Sequence, residues 1–374
     1  VFNTPEDKIV FDVSHQTYPH KMITGRIKAF IDPEHYDDVT GYTNPAESEY
    51  DLYSLGHTSS AIALAAGIAK ARDMQGEKFD VISVIGDGSL SGGVAFEGLD
   101  YGATLNSNFI VVVNDNQMSI AENHGGIYEG LRQLRESNGK SDNNLFKSFG
   151  YDYLYVEDGN DIESLVEAFR SVKSVNHPIV VHINTLKGKG LPIAEQNKEA
   201  FHYNGPFNPQ ETSFPASDES VPEDYSDLFA ITMLNHMQSD KKVMTITAGT
   251  PGVLGFDPVR RTTAGDRFID VAIAEQSAVD VASGLAKGGM RPVVGFVSSF
   301  LQRAYDQFSQ DIALNRQPVT FVVFYGSMFG MNDETHLGFF DIALLSNIPN
   351  LLYLAPTCQE EFVSMLDWSI RQTD

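Results

Sequence analysis

The sequence predicts an α/β protein with two doubly wound, mostly parallel sheets. Short apolar runs alternate with helical patterns along most of the chain, which is the order of β-α-β units. These runs are apolar throughout, as expected for strands that helices cover on both faces. A stretch rich in proline, acids and serine interrupts the alternation, so we expect two domains.

The first domain is predicted from apolar runs that end in polar, glycine-containing or asparagine-rich loops. The run at 80–85 ends in Gly-Asp-Gly, and the run at 109–113 ends in Asn-Asp-Asn. A further strand is predicted at 178–183, and helices are predicted at 61–69, 93–104 and 161–175. We therefore expect the first domain to occupy residues 1–204.

The linker and the second domain follow from the next change in composition. Residues 205–226 keep no apolar period and are predicted to be an extended linker. The β-α rhythm then resumes, which predicts a second domain over 227–374. Its strands are predicted at 243–247, 268–273, 292–296, 319–324 and 351–354, and its helices at 275–288 and 300–314.

The composition is that of a folded, acidic protein. Of the 374 residues, 42% are hydrophobic and 20% are charged, which excludes wholesale disorder. Lys and Arg number 26 and Asp and Glu number 50, so the formal net charge is −24. That charge argues against nucleic acid or an anionic membrane as the main partner, but it does not exclude a small anionic ligand at a local site.

Cysteine content and hydropathy bear on the compartment. The single cysteine, Cys358, cannot form an internal disulfide, so a reducing, cytoplasmic compartment is expected. No apolar run approaches the ~20 residues of a membrane-spanning helix, and no signal-peptide pattern is present. Because the chain begins with Val1 and stops at Asp374 within a helical pattern, we expect it to be part of a longer protein.

Two loops at predicted strand ends carry residues suited to a metal and a phosphate. The glycines of 86–93 allow close backbone approach, and the helix that follows offers free N–H groups to a phosphate. Asp87 supplies a hard oxygen, and Asn116 follows it by 29 residues (116 − 87), a span that holds one helix and one strand. This spacing returns Asn116 to the same sheet edge, where both oxygens suit Mg²⁺. Each loop taken alone would be read as an ordinary turn.

The pair of loops resembles the diphosphate motif of thiamine-diphosphate enzymes and, more narrowly, the 1-deoxy-D-xylulose-5-phosphate synthase family. Six stretches in family order carry this resemblance over nearly the whole chain. They are Asp-Val-Ser-His-Gln-Thr-Tyr-Pro-His-Lys at 12–21 with Thr-Gly-Arg at 24–26, Ser-Glu-Tyr-Asp at 48–51 with Gly-His at 56–57, Asn-Gln-Met-Ser-Ile-Ala-Glu-Asn at 116–123, Lys-Gly-Lys-Gly at 187–190, Ile-Ala-Glu-Gln at 273–276 and Phe-Leu-Gln-Arg-Ala-Tyr-Asp-Gln at 300–307.

The resemblance implies thiamine diphosphate and Mg²⁺ as cofactors, with a diphosphate- and Mg-binding first domain and an aminopyrimidine-binding second domain. It places the metal on Asp87, Asn116 and the Met118 carbonyl. The residues it implies for the cofactor itself are His15, Gly56, His57, Thr58, Gly88, Ser89, Asn116, Leu191, Glu275 and Phe300. Leu191 stands where the family usually has tyrosine.

Glu275 is the residue that the resemblance places against N1′ of the aminopyrimidine. A carboxyl group shielded from water can share a proton with that nitrogen and thereby assist removal of the thiazolium C2 proton. Outside this context, a solvated acid in the first turn of a helix would be the preferred interpretation.

Histidines are the other predicted catalytic residues. His15, His57 and His202 are assigned to proton handling, although a lone histidine is more often a packed or surface residue. His202 gains weight because it follows Lys187 by 15 residues (202 − 187), where the family also has a histidine. His20 and His124 are expected to be structural.

The departures from the family pattern cluster in the second domain and concern the acceptor. Tyr325 stands where the family has a phosphate-binding arginine, and Asn332 stands where it has an acid. Val297 replaces a tyrosine and Ser277 a histidine. Loss of a bidentate arginine at a phosphate site is not conservative. The tentative substrate residues are therefore His336, Lys187, Tyr325 and Asn332; Lys187 neutralises a phosphate or simply projects into solvent.

Three hypotheses about function remain at this point. The resemblance implies a transferase that decarboxylates pyruvate and joins the two-carbon unit to glyceraldehyde 3-phosphate, giving 1-deoxy-D-xylulose 5-phosphate, a precursor of isoprenoids, thiamine and pyridoxal. The altered acceptor residues leave open a transketolase-like enzyme with another acceptor, or a non-catalytic, cofactor-binding paralogue. Small-molecule substrates and a homodimer are expected, without nucleic acid or membrane.

Overall fold

The computed structural model describes residues 1–13, 15–202, 224–327 and 334–373, and of His15 it describes only the backbone. The chain forms two compact units, Val1–Pro206 and Phe207–Asp374. Most of the predicted linker, 205–223, lies outside the described residues. Its predicted end at 226 is too late, because the Asp224 side chain accepts hydrogen bonds from the backbone of Ser226 and Asp227 and starts a helix there.

The first unit contains a sheet of five parallel strands in the order β1-β2-β3-β5-β4. The strands are β1 Lys8–Phe11, β2 Val81–Gly86, β3 Phe109–Asp115, β4 Asp152–Val156 and β5 Pro178–Asn184. The helices are α1 Tyr18–Lys21, α2 Lys28–Ile31, α3 Ala61–Gln75, α4 Gly93–Gly102, α5 Gly126–Glu136, α6 Leu145–Phe149, α7 Ile162–Val172 and α8 Pro192–Gln196. Short 3₁₀ helices occupy His15–Thr17, Pro33–Asp38 and Gly88–Ser91, and a π-helical turn occupies Met22–Arg26.

The second unit contains four parallel strands in the order β7-β6-β8-β9. The strands are β6 Val243–Thr247, β7 Phe268–Asp270, β8 Arg291–Val297 and β9 Thr320–Phe324. The helices are α9 Tyr225–Ser239, α10 Pro258–Ala264, α11 Glu275–Lys287, α12 Ser298–Leu301, α13 Tyr305–Gln307, α14 Asp341–Leu345 and α15 Gln359–Ile370. Short 3₁₀ helices occupy Pro251–Leu254, Gly265–Arg267 and Gln302–Ala304, and a π-helical turn occupies Phe308–Leu314.

Helices cover both faces of each sheet, as the uniformly apolar strands require. In the first unit, alternate residues such as Val111 and Val113 face α3 and α4, whereas Ile110 and Val112 face α7. In the second unit, one face packs on α11 and the other on α9 and α15. The predicted fold class, two doubly wound parallel sheets, is therefore confirmed.

Three predicted elements differ from the structure. Residues 351–354 form no strand, and the side chains of Leu352, Tyr353 and Leu354 are exposed within this unit. The strand predicted at 268–273 ends at Asp270, whose side chain accepts a hydrogen bond from the backbone of Ala272 and turns the chain. The helix predicted at 300–314 is divided into α12, α13 and tighter or wider turns.

Parallel strands bring the predicted site residues of each unit to one sheet edge. In the first unit, Asp87 follows β2, Asn116 follows β3, and the backbone pairing sets Gly86 beside Asn114. In the second unit, Phe300 follows β8 and Tyr325 follows β9. The carboxyl ends of parallel strands are the usual location of ligand sites in open α/β sheets. Among the described residues, no helix is both long and apolar enough to cross a bilayer.

Packing of α3 against α4 predicts opposite effects of alanine at two glycines. A Cβ at Gly98 would lie 2.8 Å from the backbone nitrogen of Ala63, whereas a Cβ at Gly67 would meet no atom within 4 Å. We expect Gly98→Ala to destabilise the protein by ~1–3 kcal/mol through overpacking, and Gly67→Ala to stabilise it by up to ~1 kcal/mol. Thermal unfolding of both variants tests this. An equal rise in the melting temperature of both variants would contradict the close packing at Gly98.

Candidate functional site

Asp87 lies at the centre of the polar residues at the edge of the first sheet. It directly follows β2, starts the turn Gly88–Ser91, and is only 1% exposed. Its Oδ2 accepts a hydrogen bond from Asn123 Nδ2 at 2.6 Å, and its Oδ1 lies 3.5 Å from the backbone nitrogen of Asn116. Among the described residues, no basic side chain forms an ion pair with it. A buried carboxylate without a cation is costly, so this position suits a metal ion.

Asn116 and Met118 form the second part of this edge. Asn116 Oδ1 accepts a hydrogen bond from the Met118 backbone at 3.1 Å, which leaves the oxygen a further lone pair. Gln117 between them adopts φ +69°, so the chain turns back, and Met118 pairs with Glu122. The loop thus brings the backbone of Asn116 next to Asp87, and the role of its amide oxygen as a metal ligand stays a prediction.

Gly88 allows the two loops to approach each other. A Cβ at Gly88 would lie 2.6 Å from Ser119 Cβ, closer than side-chain carbons pack. Asn123 also belongs to this contact, and its Oδ1 is buried without a hydrogen-bond partner. Such an orphaned acceptor at Asp87 fits a site that a bound ion or its water completes.

The turn at 56–59 joins the diphosphate loop predicted at Ser89. Ser59 Oγ donates to the Ser89 carbonyl at 2.8 Å, and the buried Asp12 accepts from the backbone nitrogen of Ser59 at 2.9 Å. This arrangement brings the buried Gly56 and the half-buried His57 and Thr58 towards the same edge.

The other residues singled out by the sequence in the first unit lie in different surroundings. His15 follows β1 in the turn His15–Thr17, and nothing is described of its side chain. Leu191 is half-buried at the start of α8. His20, expected to be structural, is buried and hydrogen-bonded to Asp51 at 2.9 Å, while His124 lies 3.8 Å from Glu122.

Lys187 is turned inward rather than into solvent. Its Nζ donates to the Ser119 carbonyl at 2.5 Å and lies 3.1 Å from His202 Nδ1. Burial lowers the pKa of Lys187 to about 8, although the charges of Asp87 and Glu199 oppose the shift. Of the two interpretations of Lys187, projection into solvent is therefore wrong, and the lysine lies close to His202 and to the loop 116–119, which carries two of the predicted metal ligands.

Asp115 is the second buried acid at this edge, and sequence reasoning missed its importance. It forms an ion pair with Arg135, and His182 Nε2 lies within hydrogen-bond distance of its Oδ2, at 2.9 Å. Burial and then the Asp115 charge raise the pKa of Asp87 to about 7. Although burial alone would raise the pKa of Asp115, His182 and Arg135 lower it. The two acids therefore differ: Asp115 is neutralised by side chains and Asp87 is not.

Glu275 is the corresponding buried acid of the second unit. It begins α11, is 3% exposed, and its Oε2 has no hydrogen-bond partner. Arg303 Nη1 lies 3.6 Å from that oxygen, a contact that the sequence did not predict. Burial raises the pKa of Glu275 and the Arg303 charge opposes the shift. The alternative interpretation, a solvated acid in the first helical turn, is therefore wrong.

Phe300 and His336 lie together in the second unit. Their ring centroids are 5.4 Å apart in an edge-on contact, and His336 is buried with Nδ1 2.8 Å from Thr335 Oγ1. Tyr325 is exposed and adopts φ +56° directly after β9. Asn332 lies outside the described residues. The acceptor roles of these residues stay predictions.

No cluster of three or more His, Cys, Asp or Glu side chains that could bind a metal occurs among the described residues. The expected donor set does not require one, because it combines one carboxylate, one amide oxygen and one backbone carbonyl with ligand oxygens. Such an all-oxygen set with few carboxylates suits Mg²⁺, which keeps several waters or phosphate oxygens.

Comparison with known proteins gives two matching family profiles. The profile described as 1-deoxy-D-xylulose-5-phosphate synthase matches residues 1–143 and 138–185. The profile described as the pyrimidine binding domain of transketolase matches residues 222–374.

Curated relatives match almost the whole chain. A 1-deoxy-D-xylulose-5-phosphate synthase of Desulforudis audaxviator is 39% identical, covering 99% of this chain and 63% of that protein. One from Symbiobacterium thermophilum is 40% identical, covering 98% of this chain and 61% of that protein. The chain thus spans less than two thirds of the length of these relatives. Among solved structures, transketolase from Leishmania mexicana matches with a TM-score of 0.41 and 16% identity, over 98% of this chain and 67% of that one.

The raised pKa of Asp87 predicts a pH-dependent affinity for Mg²⁺. Its folded-state pKa of about 7 exceeds the ordinary value, so the metal-free folded state binds the extra proton and loses stability as pH rises through about 7. Mg²⁺ needs the carboxylate, which is about tenfold more populated at pH 8 than at pH 6. We therefore expect Mg²⁺ alone to raise the melting temperature more at about pH 8, by ~2–4 °C.

The matched variants are Asp87→Asn, which should lose the Mg²⁺ response at both pH values, and Asp100→Asn on the exposed face of α4, which should keep it. An equal Mg²⁺ response of the unmodified protein at both pH values would show that Asp87 does not bind the ion.

Proposed function

This chain belongs to the 1-deoxy-D-xylulose-5-phosphate synthase family, and on that premise we propose that the protein decarboxylates pyruvate and joins the two-carbon unit to glyceraldehyde 3-phosphate. The products would be CO₂ and 1-deoxy-D-xylulose 5-phosphate, a precursor of isoprenoids, thiamine and pyridoxal. Thiamine diphosphate and Mg²⁺ are the proposed cofactors. Since the chain spans 63% of one relative and 61% of another, the activity is proposed for the whole protein.

The observation that carries this proposal is Asp87, buried at the end of β2 without a cationic partner among the described residues and next to Asn116. Asp87, the Asn116 amide oxygen and the Met118 carbonyl would hold Mg²⁺. The ion would offset the charge that burial leaves unfavourable on Asp87. Gly88 and Ser89 would contact the diphosphate, where the bare backbone of Gly88 leaves room.

The second unit would bind the aminopyrimidine ring. When bound, thiamine diphosphate supplies the carbon nucleophile and the electron sink for decarboxylation of a 2-oxo acid. Glu275 would hold a proton at N1′, which suits its burial, its raised pKa and the lack of a hydrogen bond to its Oε2. Phe300 would pack against the ring, and Arg303 would limit how strongly Glu275 retains the proton.

The histidines and Lys187 would move protons and bind substrate groups. His57 and His202 are half-buried. Because His202 Nδ1 lies 3.1 Å from Lys187 Nζ, His202 and Lys187 can exchange this hydrogen bond for contacts to an anionic substrate. His15 is proposed as a catalytic residue and cofactor contact on the family pattern alone. In the acceptor region, His336, Tyr325 and Asn332 are proposed to contact the aldehyde; Leu191 is proposed to contact the cofactor.

The names of the curated relatives favour this reaction over transketolase-like transfer to another acceptor and over a non-catalytic paralogue.

A homodimer in the cytoplasm is proposed as the working form, with small molecules as the partners. Light scattering of the purified protein measures its mass and tests the dimer.

Glu275→Gln tests the proposed chemistry because it keeps the size of the side chain and removes the acid. With pyruvate, glyceraldehyde 3-phosphate, thiamine diphosphate and Mg²⁺, we expect the unmodified protein to release CO₂ and form 1-deoxy-D-xylulose 5-phosphate in equal amounts. Glu275→Gln should lower the rate by about 10²–10⁴-fold, the usual contribution of proton transfer.

The control is Glu360→Gln, which changes an exposed acid in the first turn of α15 and should keep the rate. Full activity of Glu275→Gln would refute the assignment of Glu275. Release of CO₂ without any dependence on glyceraldehyde 3-phosphate would instead refute the proposed acceptor.

A further inference from the structure

A chain of hydrogen bonds crosses three neighbouring strands and reaches Asp115, next to the turn 116–118 that carries two of the proposed metal ligands. Tyr153 on β4 bonds through its hydroxyl to His182 Nδ1 at 2.7 Å. His182 on β5 bonds through Nε2 to Asp115 Oδ2 at 2.9 Å. His182 is fully buried, and its ring lies edge-on to those of Phe146 and Tyr155. We call Tyr153, His182 and Asp115 the relay.

The direction of the relay follows from what each group can donate. Asp115 is a carboxylate, so His182 Nε2 must carry the hydrogen. Burial, followed by the charges of Tyr155 and Asp115, raises the pKa of Tyr153, so its hydroxyl stays protonated and donates to Nδ1. The three groups therefore fix one tautomer of His182 and one orientation of Asp115.

Asp115 connects the relay to the proposed metal ligands. It is the last residue of β3 and directly precedes Asn116. Its Oδ1 accepts a hydrogen bond from the Gln117 backbone at 3.1 Å, and its carbonyl accepts one from the Thr185 backbone at 2.8 Å. The turn from Asn116 to Met118 is thus hydrogen-bonded through the Gln117 backbone to the Asp115 side chain, whose position the relay determines.

The relay lies close to Asp87. Asp87 Oδ1 is 3.5 Å from the backbone nitrogen of Asn116, the residue that follows Asp115, and Arg135 forms an ion pair with Asp115. A metal ion at Asp87 would therefore meet a second, partly neutralised acid behind its ligands. Packing alone does not require this set of polar groups, since buried ionic groups are often replaced by apolar ones without loss of stability.

We propose that Tyr153, His182 and Asp115 act as positioning residues that hold Asn116 and Met118 in the geometry that a divalent metal requires. The proposal rests on the proposed function, because it concerns the Mg²⁺ through which the diphosphate would bind. Groups behind metal ligands typically change metal affinity by about 10–100-fold when they are removed. The relay thus acts on metal binding and not on the reacting atoms.

Tyr153→Phe tests the relay, because it removes one hydroxyl and keeps the ring. The measurement is calorimetric titration of the protein with thiamine diphosphate over a series of Mg²⁺ concentrations. We expect the Mg²⁺ concentration for half-maximal binding to rise about tenfold, the low end for one lost hydrogen bond. Excess Mg²⁺ should restore the affinity, which loss of folded protein would not allow.

Tyr151→Phe is the matched control. Tyr151 lies two residues earlier and is buried, whereas Tyr153 is half-buried; the Tyr151 hydroxyl donates to the Leu99 carbonyl at 3.0 Å, on α4 and away from Asp115. This variant should keep the Mg²⁺ requirement of the unmodified protein. His182→Gln provides a second break in the relay and should raise the Mg²⁺ requirement at least as far as Tyr153→Phe.

The outcomes separate this proposal from the proposed function. If the unmodified protein binds thiamine diphosphate with Mg²⁺ and Tyr153→Phe has the same Mg²⁺ requirement as Tyr151→Phe, the relay does not position the ligands. The same conclusion follows if excess Mg²⁺ fails to restore Tyr153→Phe. If the unmodified protein binds no thiamine diphosphate at any Mg²⁺ concentration, the proposed function and the relay both fail.

Discussion

The burial of two carboxylates at one end of the first sheet is the constraint on which the site depends. Asp115 forms an ion pair with Arg135 and a hydrogen bond with His182, whereas Asp87 has hydrogen-bond donors but, among the described residues, no cationic partner. Removing a second negative charge from water next to the first is unfavourable unless a proton or a metal ion accompanies it. The fold therefore maintains a position that favours a cation, and the strands that create it also bring up the oxygen atoms to bind one.

Parallel topology explains why this position is possible. Strands β2 and β3 end side by side, so the loops after them meet although 29 residues separate Asp87 from Asn116. The absence of a side chain at Gly88 lets those loops touch at Ser119. In the second unit, a helix that begins after β7 buries Glu275 in the same kind of location. The candidate site residues of each unit thus lie at the carboxyl edge of its sheet.

The sequence predicted the fold class and the Asp87–Asn116 neighbourhood, because apolar strand runs and loop spacing are local signals. It did not predict the ends of the elements at Asp270 or Asp224, where one side chain's hydrogen bonds turn the chain or cap a helix. It also missed contacts between distant positions. His182 reads as one polar residue in an apolar strand, and only the sheet register sets it against Asp115. Arg303 beside Glu275 is a contact of the same kind.

The most direct test of the central claim is to locate the ion. Crystals of the full protein with thiamine diphosphate and Mn²⁺ in place of Mg²⁺ would show the metal by its anomalous scattering. We expect one peak at about 2.0–2.3 Å from an Asp87 carboxylate oxygen, the Asn116 amide oxygen and the Met118 carbonyl, with diphosphate oxygens and water as the remaining ligands. A peak elsewhere, with Asp87 still buried and bound to no ion, would contradict the account.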